Sequence, residues 1–349
     1  MKKIIDLFSG VGGLSIGFRN AGYNVVLANE IDASIANSYQ KNHPETKMIN
    51  EDITKLDIAD TFAEYRDVGM IIGGPPCQGF SQKGKRLSLR DPRNYLFRYF
   101  FDVVKFVKPE NFVIENVPNL LTAANGYFKN EIYELFESLG YEVISDVLNA
   151  KDYGVPQARR RAIIIGSLRK NVLKFPKKQN EMTTVWDAIS DLAFLESGEG
   201  EQVQEYKFIP QSKYQEMMRK HSTNLYNHVA TKHSALAIER MMLVPENGGR
   251  EDLPEEHLTK SIFSGTWGRM DKNSQSVTIT TRFDTPSSGR FTHPYLNRAI
   301  TVREAARIQS FPDNMIFYGT KTSQMKQVGN AVPPLMAEAI ANSILQGDL

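Results

Sequence analysis

Two hydrophobic patterns alternate along the first 166 residues of the chain. Short runs rich in β-branched residues predict strands over Lys3–Phe8, Asn24–Asn29, Met70–Gly73, Asn111–Glu115, Tyr141–Leu148 and Ala162–Ile165. Between several of them, apolar residues recur with the period of a helix over Leu14–Ala21, Ala33–Asn42, Tyr95–Val107 and Lys129–Leu139. This alternation is typical of an open α/β sheet with helices on both faces, which binds ligands beyond the carboxyl ends of its strands.

The pattern changes after residue 166. Between residues 167 and 297 the local charge swings from basic to acidic, and clusters of turn residues interrupt a weak periodicity. We therefore expect a domain that binds a cofactor and carries the catalytic residues over 1–166, and a second, smaller domain over 167–297. Val302–Ser310 and Leu335–Leu345 are again amphipathic, so the segment 298–349 is expected to pack back onto the first domain.

The composition narrows the class of protein. Apolar residues make up 41% and charged residues 23% of the 349, which is typical of a globular chain, and the net charge of +2 does not point to a polyanionic partner. We find no apolar run of membrane-spanning length and no signal-peptide pattern. Because Cys77 is the single cysteine, neither an intramolecular disulfide nor a cysteine-based zinc site can form. We expect a soluble cytosolic protein without a metal.

A glycine-rich turn follows the first predicted strand, in Asp6-Leu-Phe-Ser-Gly10-Val-Gly12-Gly13. Glycines let a ligand approach the backbone closely, and the following helix offers unpaired N–H groups. Glu30 lies about twenty residues on, where an acidic side chain typically binds ribose hydroxyls. A dinucleotide and an adenosyl cofactor both fit, whereas a phosphate-binding loop of the Gly-Lys-Ser/Thr type does not. The plain alternative is a turn without a ligand.

The lone thiol lies in Gly73-Gly-Pro-Pro-Cys77-Gln-Gly-Phe-Ser81, directly after a predicted strand. A thiolate is a strong nucleophile, and nearby cations lower the pKa of a cysteine. Residues 79–98 hold six Lys or Arg side chains and one Asp, which suits contact with phosphates. The alternatives are a small buried cysteine and an ordinary basic surface.

Two further motifs place charge beside apolar strands. Glu115 ends the strand Asn111–Glu115, where a carboxylate needs a partner, and it is either half of a structural ion pair or a group that hydrogen-bonds a substrate. Arg159 and Arg161 precede the strand Ala162–Ile165. Alternate residues of an extended chain point to one face, so these two arginines predict a paired guanidinium site for an anion or a carbonyl oxygen, unless they are only a polar rim.

These four motifs, followed by Arg303-Glu-Ala-Ala-Arg-Ile-Gln-Ser-Phe-Pro312 and Gln327-Val-Gly-Asn330-Ala-Val, occur in one order and spacing. The set closely resembles the cytosine-C5 DNA methyltransferases of bacterial restriction–modification systems over nearly the whole chain. The resemblance implies a Rossmann-like methyltransferase sheet that binds S-adenosylmethionine, with a second, smaller target-recognition domain. It also implies a stand-alone bacterial enzyme acting in the cytoplasm, at the nucleoid.

The same resemblance implies a reaction. Cys77 would add to C6 of a cytosine flipped out of the duplex, Glu115 would contact N3 and the exocyclic amine, and Arg161 would bind the carbonyl at C2. Arg159 would help to position Cys77. C5 then takes the methyl group of S-adenosylmethionine, and loss of the C5 proton with elimination of Cys77 releases 5-methylcytosine.

The resemblance further assigns binding residues. The cofactor residues would be Phe8, Gly10, Gly12, Gly13, Glu30, Ile31, Asp52, Ile53, Pro75, Leu96, Asn330 and Val332. Ile31 departs from the family pattern, since many relatives carry an aromatic residue after the ribose glutamate. Double-stranded DNA would be contacted by Gln78, Ser81, Lys83, Lys85, Arg86, Thr278, Ile279 and Arg282, with Arg269, Lys272 and Arg290 as further candidates.

Three alternatives compete with this interpretation. A tRNA cytosine-5 methyltransferase shares the motifs but typically carries a Cys-Phe-Thr tripeptide, which this chain lacks because Cys77 is its only cysteine. A nicotinamide-dependent oxidoreductase fits the glycine-rich turn but gives no role to Cys77, Glu115 and Arg161 together. In a non-catalytic DNA-binding module we would expect the nucleophile to be lost, whereas Cys77 is intact between Pro76 and Gln78. We expect a monomer that acts independently of any cognate restriction endonuclease and without a membrane.

Overall fold

The computed structural model describes residues 2–76, 95–260 and 264–347, which form two compact units. The first unit comprises Met1–Tyr153, Arg160–Lys178 and Val332–Leu349, and the second comprises Gly154–Arg159 and Gln179–Ala331. These limits differ from the predicted boundaries. The segment 298–331, expected on the first domain, belongs to the second unit.

The strands are numbered in chain order. They are β1 Lys3–Leu7, β2 Asn24–Asn29, β3 Lys47–Ile49, β4 Met70–Gly73, β5 Asn111–Asn116, β6 Glu142–Asn149, β7 Arg160–Ser167, β8 Gly200–Gln204 and β9 Leu225–Val229. The helices are α1 Gly13–Asn20, α2 Ala33–Asn42, α3 Ile58–Phe62, α4 Leu96–Val107, α5 Ala123–Ser138, α6 Val185–Ile189, α7 Lys213–Arg219, α8 Ala235–Leu243, α9 Val302–Ile308, α10 Lys321–Asn330 and α11 Pro334–Gly347. Every predicted strand and helix is present within a few residues.

The first unit is built on one sheet with the strand order β3-β2-β1-β4-β5-β7-β6. The neighbours from β3 to β5 pair in parallel, whereas β7 runs antiparallel to both β5 and β6. The predicted α/β class with a mainly parallel sheet is confirmed. The reversal brings the beginning of β7 to the edge where the parallel strands end.

Helices cover both faces of this sheet. On one face, alternate strand residues such as Ile5 and Phe112 join the phenylalanine-rich sides of α4 and α5, and the Phe112 ring stacks on Phe136 with centroids 4.0 Å apart. On the other face, Asp6 of β1 meets α1, which in turn packs against α11. Gly17 permits that helix contact, since a Cβ there would lie 2.5 Å from the carbonyl oxygen of Pro334.

The second unit has a two-stranded antiparallel sheet, β8–β9, and a core of buried ion pairs. Arg298 bonds Glu304 through both carboxylate oxygens, at 2.7 Å each. Arg307 bonds Asp313 at 2.5 and 2.7 Å and also reaches Asp191 at 3.2 Å. All five side chains are fully buried. Helix α9 carries Glu304 and Arg307, which explains why this segment belongs to the second unit.

Two histidines lie in the same buried region. Burial lowers the pKa of His228 to about 4 and that of His293 to about 3, because the charged imidazolium loses its hydration. Both residues are therefore neutral at neutral pH. Among the residues that the structure describes, we find no helix long and apolar enough to cross a membrane.

Candidate functional site

The glycine-rich turn between β1 and α1 is held by Glu30. Gly10 and Gly12 have φ values of 56° and 98°, which favour glycine, and Phe8 also has a positive φ of 56°. The Gly10 N–H donates to one oxygen of Glu30 at 3.0 Å, and the Asp32 N–H donates to the other at 2.8 Å. Burial raises the pKa of Glu30, and these two donors oppose the shift. The turn is therefore already formed around a carboxylate at the end of β2.

Side chains predicted to bind adenosine lie at the ends of neighbouring strands. Ile31, directly after Glu30, is 64% exposed, an unusual position for a large apolar residue. Asp52 accepts the Thr54 N–H at 3.0 Å and begins a short 3-10 turn over Ile53–Lys55, in which Ile53 is buried. The Asn50 side chain donates to the carbonyl oxygens of Glu30 and Ile31 and thereby joins this edge to β3.

The remaining cofactor candidates are distributed over both units. Pro75 follows β4, and its carbonyl oxygen accepts the Asn116 side-chain amide at 2.8 Å. Leu96 begins α4 and is half-buried, and Val332 is buried in the first unit. Asn330 is exposed at the end of α10, in the second unit.

A buried acid beneath the turn was assigned no role from the sequence. Asp6 is fully buried and accepts the Ser15 hydroxyl at 2.6 Å, and that hydroxyl also contacts the Tyr39 hydroxyl at 2.7 Å. Burial raises the pKa of Asp6 to about 7. The available signal was an acidic residue inside an apolar strand. This network fixes α1 to β1 directly below the glycine turn.

Glu115 and Arg161 form an ion pair at the sheet edge. The register of β5 and β7 sets Asn116 opposite Ala162, so Arg161 lies beside the end of β5, and its Nε is 2.8 Å from Glu115 Oε1. The side chains are only 11% and 14% exposed. Burial lowers the pKa of Arg161, and the Glu115 carboxylate opposes that shift. The pair is partly shielded from water, which strengthens its electrostatic interaction.

The other oxygen of Glu115 points toward the end of β4. A Cβ on Gly74 would lie 3.0 Å from Glu115 Oε2, so the glycine allows the strand end and the carboxylate to approach closely. Cys77 comes three residues later in the sequence. Cys77 itself lies outside the described residues, as do Gln78, Ser81, Lys83, Lys85 and Arg86.

Arg159 and Arg161 have different partners among the described residues, so their proposed joint site stays a prediction. Arg159 is buried in the second unit and donates to the carbonyl oxygens of Ile279 at 3.1 Å and Gly329 at 2.9 Å. The strand β7 begins only at Arg160, so the alternation expected of an extended chain does not include Arg159. Its described contacts support the backbone of the second unit.

The DNA-contact candidates in the second unit divide into exposed and interior residues. Arg282 is exposed and bonds Asp284, Thr278 is partly exposed, and the Ile279 side chain is fully buried. Arg269 is buried and donates to backbone carbonyls, among them Val244 at 2.8 Å. Lys272 lies 3.5 Å from Glu246, and Arg290 donates to the carbonyls of Asn247, Gly248 and Arg269. Arg269 and Arg290 therefore both contact backbone carbonyls within the second unit, and Arg269 does so from a buried position.

In the described part of the chain, no group of three or more His, Cys, Asp or Glu side chains could hold a metal ion.

Comparison with known proteins gives consistent matches over the whole chain. The profile of a family described as C-5 cytosine-specific DNA methylase matches residues 2–346. Type II methyltransferase M.DdeI of Desulfomicrobium norvegicum is 44% identical over 370 residues, covering 98% of this chain and 88% of that protein. Type II methyltransferase M1.HphI of Haemophilus parahaemolyticus is 40% identical over 347 residues, covering 98% and 86%.

Solved structures agree with these matches. A structure described as a DNA modification methyltransferase encoded within a prophage of Escherichia coli has a TM-score of 0.81 and 29% identity, with 99% of both chains covered. The methyltransferase EhMeth of Entamoeba histolytica has a TM-score of 0.67 at 17% identity and shares the fold.

Proposed function

Since the chain belongs to the C-5 cytosine-specific DNA methylase family and is a DNA cytosine-5 methyltransferase of the restriction–modification type, we propose that it acts through a covalent bond between Cys77 and C6 of a cytosine turned out of the duplex. The Glu115–Arg161 pair carries this proposal. It sets a carboxylate and a guanidinium side by side at the strand edge, beside the segment that leads to Cys77. The family assignment leaves no place for an oxidoreductase.

The residues present fit S-adenosylmethionine, on which methyltransferases of this family and fold generally depend. Both oxygens of Glu30 already accept backbone N–H groups, and each retains a second lone pair for a ribose hydroxyl. The exposed side chain of Ile31 offers an apolar surface for adenine, with Asp52 as an acceptor for its amine. Gly10 and Gly12 allow close approach of the methionine part. When bound, S-adenosylmethionine supplies the methyl group that C5 of the cytosine takes.

Glu115 and Arg161 act on the cytosine ring. Addition of the Cys77 thiolate to C6 moves electron density into the ring, so N3 becomes more basic and is stabilised by a hydrogen-bonding acid. Glu115 is placed to provide this contact, and Arg161 holds its carboxyl group in one orientation. A guanidinium has five N–H donors, so Arg161 can also bind the C2 carbonyl. After methylation, water takes the C5 proton, and the electron pair of that C–H bond forms the C5–C6 double bond as the C6–S bond breaks and restores the thiolate.

The reaction requires access to an atom that is covered by stacking in duplex DNA, so the cytosine must leave the helix. We propose that the second unit reads the surrounding sequence and that the Lys and Arg side chains between residues 79 and 98 contact phosphates. We further propose that the enzyme works as a monomer in the bacterial cytoplasm, independently of any endonuclease that cleaves the same site.

Bisulfite sequencing of plasmid DNA from cells expressing the protein tests the proposal, with Cys77→Ser as the control. We expect protected cytosines confined to one short motif, and none with the variant, which should still bind S-adenosylmethionine. Protection that persists in the variant would remove Cys77 as the nucleophile. Methylated cytosine confined to RNA would replace the DNA substrate with tRNA or another RNA.

A further inference from the structure

A buried cluster of hydrogen bonds joins three separate stretches of the second unit. Gln157 and Arg159 come from one stretch, the segment Ser276–Ile279 from another, and Gln309 with α10 from the third. No role in the proposed reaction has yet been given to Gln157 or Gln309. We call the set Gln157, Arg159 and Gln309 the clamp.

The clamp fixes one face of the segment Ser276–Ile279. The backbone of 156–158 pairs with Ser276, through Ala158 N–H to Ser276 O at 2.9 Å and Ser276 N–H to Pro156 O at 3.0 Å. At Ile279, side chains and no longer the backbone make the contacts. The Gln157 amide oxygen accepts the Ile279 N–H at 2.8 Å, and Arg159 donates to the Ile279 carbonyl at 3.1 Å. Both polar groups of the Ile279 backbone are therefore bound by buried side chains.

The opposite side of the segment rests on the end of α10. A Cβ on Gly329 would lie 2.3 Å from the carbonyl oxygen of Thr280, so only glycine allows this approach. Gln309 holds the same end of α10 by donating to the carbonyls of Val328 at 3.0 Å and Ala331 at 2.8 Å. Gln157 in turn donates to the side-chain oxygen of Gln309. The side-chain amides of Gln157 and Gln309 thus connect the Ile279 backbone with the end of α10.

The segment exposes a small set of side chains. Val277 is 44% exposed, Thr278 is partly exposed, and Arg282 projects just beyond, whereas Ser276 and Ile279 are buried. The buried members anchor the segment, and the exposed members form a short rigid surface of apolar, hydroxyl and cationic groups. In a DNA groove, apolar groups contact thymine methyls, hydroxyl groups hydrogen-bond base edges, and arginine binds guanine.

We propose that Gln157 is a positioning residue for sequence recognition: through Ile279 and Gln309 it fixes the backbone that presents Val277, Thr278 and Arg282 to the target site. This inference rests on the proposed function. A binding surface that is fixed before DNA arrives discriminates sharply between bases, because a displaced contact lowers affinity for the right site more than for a wrong one.

Gln157→Met removes the hydrogen bonds of the amide while keeping a side chain of similar length. Gln215→Met is the matched control, because Gln215 is an equally buried glutamine of the second unit. Its side chain accepts the Gln211 N–H and donates to the Ser190 hydroxyl, each at 2.7 Å, and makes neither contact with the segment. Both substitutions should lower the melting temperature. Only Gln157→Met should alter recognition.

The assay is kcat/KM on duplexes that carry the site found by bisulfite sequencing, compared with duplexes changed at one base pair. One wrong base pair normally weakens binding by about 5- to 150-fold, and Gln157→Met should reduce that discrimination by about tenfold. Affinity for S-adenosylhomocysteine should stay unchanged in both variants. Discrimination that is normal in Gln157→Met, or reduced equally in Gln215→Met, would overturn the proposal.

A second measurement needs no variant and covers the case in which Gln157→Met fails to fold. In the wild-type protein without DNA, hydrogen exchange at the amides of Ser276 and Ile279 should be slow, since both are bonded to buried partners. Exchange as fast as in an unstructured peptide would show that the segment is not fixed in advance. A wild-type protein that methylates no duplex cytosine would instead refute the proposed function, whatever its exchange rates.

Discussion

Replacing Glu115 by glutamine removes a charge from the sheet edge while preserving shape. The carboxylate lies 2.8 Å from Arg161 Nε, and both side chains are more than four-fifths buried. Glutamine keeps an oxygen for that donor, so the loss is the difference between a charged and a neutral hydrogen bond, about 1–2 kcal/mol of stability. The effect on the reaction should be larger. A carboxylate can take a proton from solvent and pass it to N3, whereas an amide cannot, and loss of such proton transfer costs about 10²- to 10⁴-fold in rate.

Two measurements separate these effects. Urea denaturation gives the change in stability, and single-turnover transfer of a labelled methyl group to duplex DNA gives the rate of the chemical step. The matched control is Glu110→Gln. Glu110 immediately precedes β5, and its ion pairs with described residues are exposed, at 3.9 Å with Lys2 and 3.6 Å with Arg169, so both quantities should be nearly normal. A single-turnover rate of Glu115→Gln within about twofold of wild type, with stability reduced, would make the pair structural and refute the acid role.

Three other perturbations have defined outcomes. Glu30→Gln should weaken binding of S-adenosylhomocysteine by about 10-fold or more, because hydrogen bonds to a charged acceptor are lost; calorimetry showing an unchanged Kd would contradict this. Because the pKa values of His228 and His293 are lowered by burial to about 4 and 3, from 6.5, these two residues bind more protons in the unfolded chain, so their contribution to the free energy of unfolding should fall as the pH is lowered from 7 to 4, whereas the raised pKa of Asp6 acts in the opposite direction. Urea midpoints with the same pH dependence in the wild type and in His293→Asn would disprove the contribution of His293. Arg307→Met leaves the buried carboxylates of Asp191 and Asp313 without their shared partner and should lower the free energy of unfolding in urea by about 3–5 kcal/mol. A normal urea midpoint would mean that water or neighbouring arginines compensate.

Sequence patterns predicted the sheet well because its strands are short apolar runs between amphipathic helices. They missed β3, whose three residues Lys47–Ile49 are too few to show a period. They also could not show that β7 is antiparallel, since periodicity is the same in both directions. That reversal places Arg161 beside Glu115, on which the proposed mechanism depends.

The charged interior of the second unit was beyond prediction for a different reason. Arginine is normally exposed, so Arg298, Arg303 and Arg307 would each be expected at the surface. Their partners are set by the tertiary fold, and Arg307 and Asp191 are 116 residues apart. The same limitation applies to Arg269, since a basic residue in a recognition region does not reveal the backbone carbonyls that surround it. Gly10 and Gly12 were easier to predict because they belong to one local turn, and Glu30 because it directly follows β2, the parallel neighbour of β1.

The contact between α1 and α11 also governs the order in which the protein can be assembled on the ribosome. Asn20 and Glu338, which bond at 3.0 Å across it, are 318 residues apart in the sequence. While the chain is being synthesised, the face of α1 that contacts α11 stays uncovered until the whole second unit has left the ribosome. Premature termination after β7 and before α11 leaves the strands β1–β7 in place but without the helix that packs on α1.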